Sequence, residues 1–323
     1  MKAAATFALL LVFAGAIFLA QPSYSYLPNF TAQQPDRWDF SSFPVVWNLN
    51  PSIGSNVTGS RSVADIMQTA FNTWAAAPNA ALQFSRGSDV SVSEESSSPS
   101  NTNLICFVCS DADFSKDSQT LALTITTTAD RAGQGNGHGG TSNFAGQIIK
   151  ADILFNPSSQ YTTGGTGGQD LLTVAVHEVG HFFGLNHSGV VRSVMFPAAS
   201  SVSQLGWDDV AGLASLYPKS SPDLPTGAIS GTVRFAGGGA VFGAHVFAES
   251  TTGNQGFGGV IRKTPISAVT RPDGSYTITG LPPDSYVITA EPLDDPVSDS
   301  NLGSYSKVFG QPSVQTNFTT RWH

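Results

Sequence analysis

The run His177-Glu178-Val179-Gly180-His181-Phe182-Phe183-Gly184-Leu185-Asn186-His187 decides how the rest of the chain is read. Three of the six histidines fall within it. On a helix, His177 and His181 lie one turn apart on one face, so both imidazoles reach the same metal ion. Glu178 lies about 100° around the helix from His177, which frees it from a ligand role and lets it hydrogen-bond a water at a fourth position. A helix continued to His187 would turn that side chain away. Gly184 tolerates positive φ, so it can end the helix and swing the chain back toward the metal. Three imidazoles and one water make an open, catalytic zinc set rather than a closed, structural one. The expected chemistry is hydrolysis: the metal polarises a scissile carbonyl and acidifies the water, and Glu178 carries the water's proton to the leaving amine. A chance His-Glu-x-x-His on an apolar helix is the bland alternative; the glycine and third histidine at fixed spacing argue against it.

Outward from this run, one helix is expected over about Asp170–Gly184 and another over about Trp207–Tyr217. Upstream, Pro44-Val-Val-Trp-Asn-Leu49 reads as a first strand. Val63, Ile66, Met67, Ala70, Phe71 and Trp74 recur at helical spacing, with Ser62 placed to cap the helix and Pro78 to bar its continuation. That stripe is read as core packing. Ala81–Ser85, Leu104–Val108, Leu121–Thr127 and Ile148–Phe155 are the next strand candidates. Leu121, Leu123 and Ile125 alternate with smaller or polar residues, as in a strand with one buried face. Gly133-Gln-Gly-Asn-Gly-His-Gly-Gly140 is a loop.

The N-terminus reads as a secretory signal, residues 1–25, with Lys2 followed by an uncharged run from Ala3 to Ala20. The run is also close to the roughly 18–20 residues that span a bilayer; cleavage, leaving no membrane association, is the reading taken. Cys106 and Cys109, the only cysteines, then read as a local disulfide. A redox pair lacks its expected strand-to-helix context, and a zinc site lacks further ligands nearby. Charged residues make up 12% of the chain and the net charge is −8, so no basic footprint for nucleic acid exists.

With these residues in place, the chain resembles the metzincin metallopeptidases, and within them the matrixins. The zinc motif matches residue for residue, and Ser188 follows His187 as is usual in matrixins. Ser193-Val194-Met195-Phe196-Pro197 resembles the family's Met-turn, which would place Met195 beneath the metal; Phe196 stands where Tyr is frequent. Asp208-Asp209-Val210-Ala211-Gly212-Leu213-Ala214-Ser215-Leu216-Tyr217 resembles the matrixin C-terminal helix. The resemblance covers about residues 40–218 and implies an α+β catalytic domain with a five-stranded twisted sheet and three helices. It also implies that Leu121–Thr127 is a sheet edge that binds extended substrate by strand addition. Residues between Met195 and Tyr217 would shape the pocket beside the scissile bond.

The sequence departs from the family twice. No cysteine precedes Cys106 and the lead is short, so latency through a propeptide cysteine is not expected. Only His138 lies where many animal matrixins carry a second, structural zinc, so one catalytic zinc is expected. Calcium stays open. Asp111, Asp113, Ser115 and Asp117 alternate as loop ligands do, but Lys116 replaces the turn glycine of an EF-hand and Ala122 its last glutamate; a solvated acidic loop is the preferred reading. A glycosylation pattern at Asn186 overlaps the zinc motif and is incompatible with it if modified.

The chain therefore divides into a signal (1–25), a matrixin-like domain (26–218), a linker (219–225), a β-sandwich (226–295) and an unassigned tail (296–323). The sandwich resembles the carboxypeptidase regulatory-like domain through Ile229-Ser-Gly-Thr-Val233 and Asp273-Gly-Ser-Tyr-Thr-Ile-Thr-Gly-Leu-Pro-Pro283. That resemblance says little about function; a spacer or substrate-docking role fits, and His245 is read as facing core or solvent. The expected protein is a secreted zinc endopeptidase acting on extracellular proteins or peptides, with Glu178 as base and His177, His181 and His187 on the metal. The alternative is an inactive metzincin scaffold serving as a secreted binding or adhesion protein, against which an intact Glu178 argues. Oligomeric state is not readable.

Overall fold

The computed structural model describes residues 26–92, 102–111, 114, 119–135, 140–198, 201–253, 261–294 and 297–323. The signal segment, His138 and the positions Asp113, Ser115, Lys116 and Asp117 lie outside them. Five strands form the first sheet: β1 (Val45–Leu49), β2 (Phe84–Arg86), β3 (Leu104–Cys106), β4 (Ala122–Thr128) and β5 (Ile148–Phe155), in the order β2-β1-β3-β5-β4. All neighbours are parallel except β4, which runs antiparallel to β5 and forms one edge. Strand β5 lies inside the sheet, and its last five residues are all buried, as a strand covered on both faces should be.

Helix α1 (Val63–Ala75) buries the six residues whose spacing predicts it, and Ser62 accepts from the Asp65 N–H at its start. Its apolar face meets both the sheet and the helix that carries the histidines: Phe71 stacks on Trp47 at 5.3 Å, and the Trp74 Nε1–H donates to the Val176 carbonyl. That second helix, α2 (Leu171–Phe182), starts on Asp170, whose side chain accepts from the Thr173 N–H. Helix α3 (Trp207–Leu216) follows.

Two predicted strands shift for local reasons. The Ala81–Ser85 candidate enters the sheet only at Phe84, because Ala80 and Ala81 bond instead to Pro218 and Tyr217 just beyond α3. The Leu104–Val108 candidate ends at Cys106, where a disulfide to Cys109 closes a turn.

Among the described residues beyond 225, the named strands pair antiparallel with one another. Strand β6 (Gly227–Thr232) pairs with β9 (Ser275–Leu281), while β7 (His245–Ser250), β8 (Ile266–Val269), β10 (Tyr286–Glu291) and β11 (Arg321–Trp322) form a sheet in the order β8-β7-β10-β11. His245 is buried and its Nδ1 lies 3.0 Å from Glu291, in accord with a core role.

The apolar core does not stop at the boundary between the halves. It runs from Trp47 and Phe71 through Val210 and Leu213 of α3 to Val246, Ile266 and Ile278. Gly280, at φ +73°, is one point of close approach: a Cβ there would stand 2.9 Å from the Ala211 Cβ. The tail, unreadable from its sequence, is also part of the fold. Leu302, Tyr305 and Val314 are buried in a cluster with Phe242, Leu293 and Val297, and β11 adds the last strand. Among the described residues no helix is long and apolar enough to cross a membrane.

Candidate metal centre

Helix α2 ends at Phe182, and Gly184 takes φ +89°. A side chain there would overlap the backbone carbonyl of Asp36, so both the left-handed backbone and the close approach require glycine. The reversed chain brings His187 back beside the helix. The three imidazole centroids stand 4.8, 4.9 and 5.2 Å apart, and one ring nitrogen from each of His177, His181 and His187 lies within 4.8 Å of the others.

Each ring is oriented by its other nitrogen. His177 Nδ1 lies 2.7 Å from the Val194 carbonyl, His181 Nδ1 2.7 Å from the Leu185 carbonyl, and His187 Nδ1 2.7 Å from the Asn301 carbonyl. A carbonyl only accepts, so each Nδ1 carries the proton and each Nε2 keeps a bare lone pair. His177 Nε2 and His181 Nε2 nevertheless stand 3.1 Å apart. Two bare lone pairs repel at that distance, and a cation between them would turn the repulsion into ligation. Nitrogens about 2.0–2.1 Å from a tetrahedral zinc stand roughly 3.3 Å apart, so the donor set fits that ion. Burial holds the His177 pKa down to about 4 and that of His181 well below the usual histidine range, so the rings are neutral, as metal ligation requires.

Glu178 projects beside this cluster and is 95% shielded from solvent, its exposure being 5%. Burial raises its pKa to about 7, opposed by a 2.7 Å hydrogen bond donated by the Thr124 hydroxyl to Oε2. A divalent ion on the neighbouring imidazoles would pull it down. The same hydroxyl lies 3.1 Å from the Glu178 carbonyl, a second, longer acceptor for its single proton. The sequence does not single out this threonine, which looks like an ordinary β-former in an alternating strand; only its position on the sheet edge beside α2 brings it to the carboxylate. A cleft of about 540 Å³ opens here, and its lining includes Leu121–Thr124 of the sheet edge, Val194 and Phe196 of the turn, the three histidines and Glu178.

Met195 is fully buried against α2. Its sulfur rests where a side chain at position 180 would stand, and a Cβ there would also come within 2.7 Å of Trp74. Gly180 is therefore the gap in the helix that admits the Met195 thioether. The turn holding Met195 is fixed by Asp209, which accepts from the Ser193 hydroxyl and from the Val194 and Gly206 N–H groups. The neighbouring Asp208 accepts from the Ser188 hydroxyl and from the Ser267 N–H and hydroxyl, linking the residue after His187 to β8. Asn186 is buried; its side chain accepts from the His187 N–H and donates to the Leu302 carbonyl, which leaves no room for a glycan.

Residues 115–218 match the Matrixin family. The chain is 40% identical over 78 residues to matrilysin of Rattus norvegicus, a stretch covering 23% of this chain and 29% of that protein. It is 38% identical over 86 residues to stromelysin-1 of Mus musculus, covering 24% and 18%. It is 49% identical over 51 residues to the metalloendoproteinase 5-MMP of Arabidopsis thaliana, covering 15% and 14%. The chain thus spans less than a third of the length of these relatives. Over the matched segment the similarity supports a metzincin-like metallopeptidase, for which the family implies zinc.

Proposed function

We propose that the protein is a secreted endopeptidase that hydrolyses peptide bonds in extracellular proteins with a single catalytic zinc on His177, His181 and His187 and Glu178 as general base. The observation that carries this reading is the convergence of bare Nε2 lone pairs beside a buried carboxylate in an open cleft. When bound, zinc supplies Lewis acidity to the scissile carbonyl and to the attacking water. Glu178 takes a proton from that water on its carboxylate and returns it to the leaving amine. Thr124 fixes the carboxylate through Oε2, leaving Oε1 for the proton. Strand β4, an edge of the sheet among the described residues, would take an extended substrate whose main chain adds as a further strand.

Export rests on the signal-like residues 1–25, and the Cys106–Cys109 disulfide suits an oxidising compartment. Residues 26–218 are taken as the catalytic domain, 219–225 as a joint and 226–295 as a β-sandwich without catalytic chemistry of its own. The acidic loop near Asp111 is taken as solvated, and no calcium is assigned to it.

The test is cleavage of casein by the purified mature chain, with zinc, after chelation with zinc restored, and as Glu178→Gln. Cleavage lost with chelator, restored by zinc and absent in the variant supports the reading. A wild type that binds one zinc but cuts nothing across varied substrates moves the binding-protein reading ahead. A wild type that binds no zinc overturns the metal site itself.

A further inference from the structure

Of the three carbonyls that orient the histidines, two belong to the segment that carries the ligands. The third, that of Asn301, comes from 114 residues further along the chain, outside the Matrixin match. We infer that the C-terminal segment 298–306 is a positioning element of the metal centre, fixing the third ligand, so that full metal affinity requires it. This rests on the metal-site reading above.

His187 is the ligand that most needs such support. It stands on a loop, without the helix that holds His177 and His181. Its N–H is taken by the Asn186 side chain at 2.7 Å, and the same side chain reaches the Leu302 carbonyl at 3.2 Å. Adjacent carbonyls of one segment therefore grip adjacent residues of the loop. Gly303 makes the approach possible: it sits at φ +67°, and a Cβ there would come within 2.5 Å of the Asn186 amide nitrogen.

The segment is itself built to hold its shape. Asn301 Oδ1 accepts from the Ser298 N–H and hydroxyl, and Asp299 accepts from the Ser306 N–H and hydroxyl at 2.9 and 2.6 Å. Leu302 and Tyr305 anchor it in the apolar cluster, with Tyr305 stacked 5.5 Å from Phe242. A rigid acceptor commits the proton of His187 to Nδ1 and aims Nε2 at the metal. Loss of such an outer partner typically costs 10–100-fold in metal affinity.

The experiment uses the full mature chain, zinc and a competing chromophoric chelator. Gly303→Val wedges the segment away from Asn186, and Lys307→Ala, at an exposed position immediately after the segment, is the control. Gly303→Val should weaken zinc binding by roughly 10–100-fold and Lys307→Ala by less than about twofold. In ¹⁵N spectra of the zinc-loaded wild type, His187 should show a slowly exchanging Nδ1–H, which the valine variant loses while those of His177 and His181 persist. A merely structural role would not select one imidazole. A folded Gly303→Val protein with unchanged zinc affinity overturns this inference alone. If the variant does not fold, a rapidly exchanging His187 Nδ1–H in the wild type overturns it, and a protected one supports it. A wild type that takes up no zinc removes the metal-site reading and this inference with it.

Discussion

The helix Leu171–Phe182 and the loop that follows it carry the same imidazole chemistry on opposite kinds of support. His177 and His181 inherit their spacing from backbone hydrogen bonds, and the carbonyls that orient them, Val194 and Leu185, lie within a few turns of chain. His187 has no regular structure beneath it. It depends on a left-handed glycine, on Asn186, and on a carbonyl from the C-terminal segment. The difference teaches that one ligand set can be half local and half tertiary. The helix side should answer to substitution through chemistry, the loop side through stability and geometry.

The largest effect is expected on the helix side. Glu178→Gln keeps the shape and loses the base, so kcat should fall by about 10²–10⁴ with zinc stoichiometry and thermal midpoint unchanged. A matching fall in stability would blur the distinction. On the loop side, Gly184→Ala must place a methyl group against the Asp36 carbonyl and hold alanine at φ +89°. Strain and overpacking together should cost roughly 2–5 kcal/mol in urea unfolding, and the loss should persist in zinc-free protein.

Gly180→Ala sits on the helix at an ordinary helical backbone, so only its contact with Met195 and Trp74 is at issue. A cost of about 1–3 kcal/mol is expected; if it exceeds that of Gly184→Ala, the contrast between helix and loop is wrong. The smallest effect belongs to Asp36, which borders the loop. Burial raises its pKa from 3.8 to about 6, and Oδ1 has no hydrogen-bond partner. The folded state therefore holds this proton more tightly than the unfolded chain. The group's contribution to stability is complete below about pH 4 and is lost as pH rises to 6. Asp36→Asn should gain on the wild type by roughly 1–2 kcal/mol across that window, and equal unfolding curves at pH 4.5 and 7 for both proteins would contradict it.

Much of the N-terminal half was legible because its signals are periodic or local. The stripe Val63–Trp74 lies on one face of one helix, and the cap at Ser62 and the stop before Pro78 are near neighbours. The histidine spacing reads directly, and Gly184 does end the helix. Thr124 was not legible, since its role depends on which sheet edge faces α2. Nor was the division of labour between Asp208 and Asp209, adjacent residues that brace different loops. The tail was the least readable, because its buried residues share no period and its hydrogen bonds are mostly to its own loop or to distant backbone.

By itself the sequence determined which groups gather: three imidazoles, with a carboxylate beside them, at a spacing that one helix and one glycine turn into a cluster. The spacing of those four side chains follows from backbone geometry over the eleven residues His177–His187, whereas the turn at Met195 was read only through its resemblance to the matrixins. Only the tertiary structure decided what fixes each donor. Thr124 reaches Glu178 across the sheet edge, Met195 fills the gap at Gly180, and Asn301 orients His187 from 114 residues away. Those contacts depend on hydrogen bonds to backbone carbonyls and on voids that match one side chain, and neither has a signature in the identity of the residues that supply them.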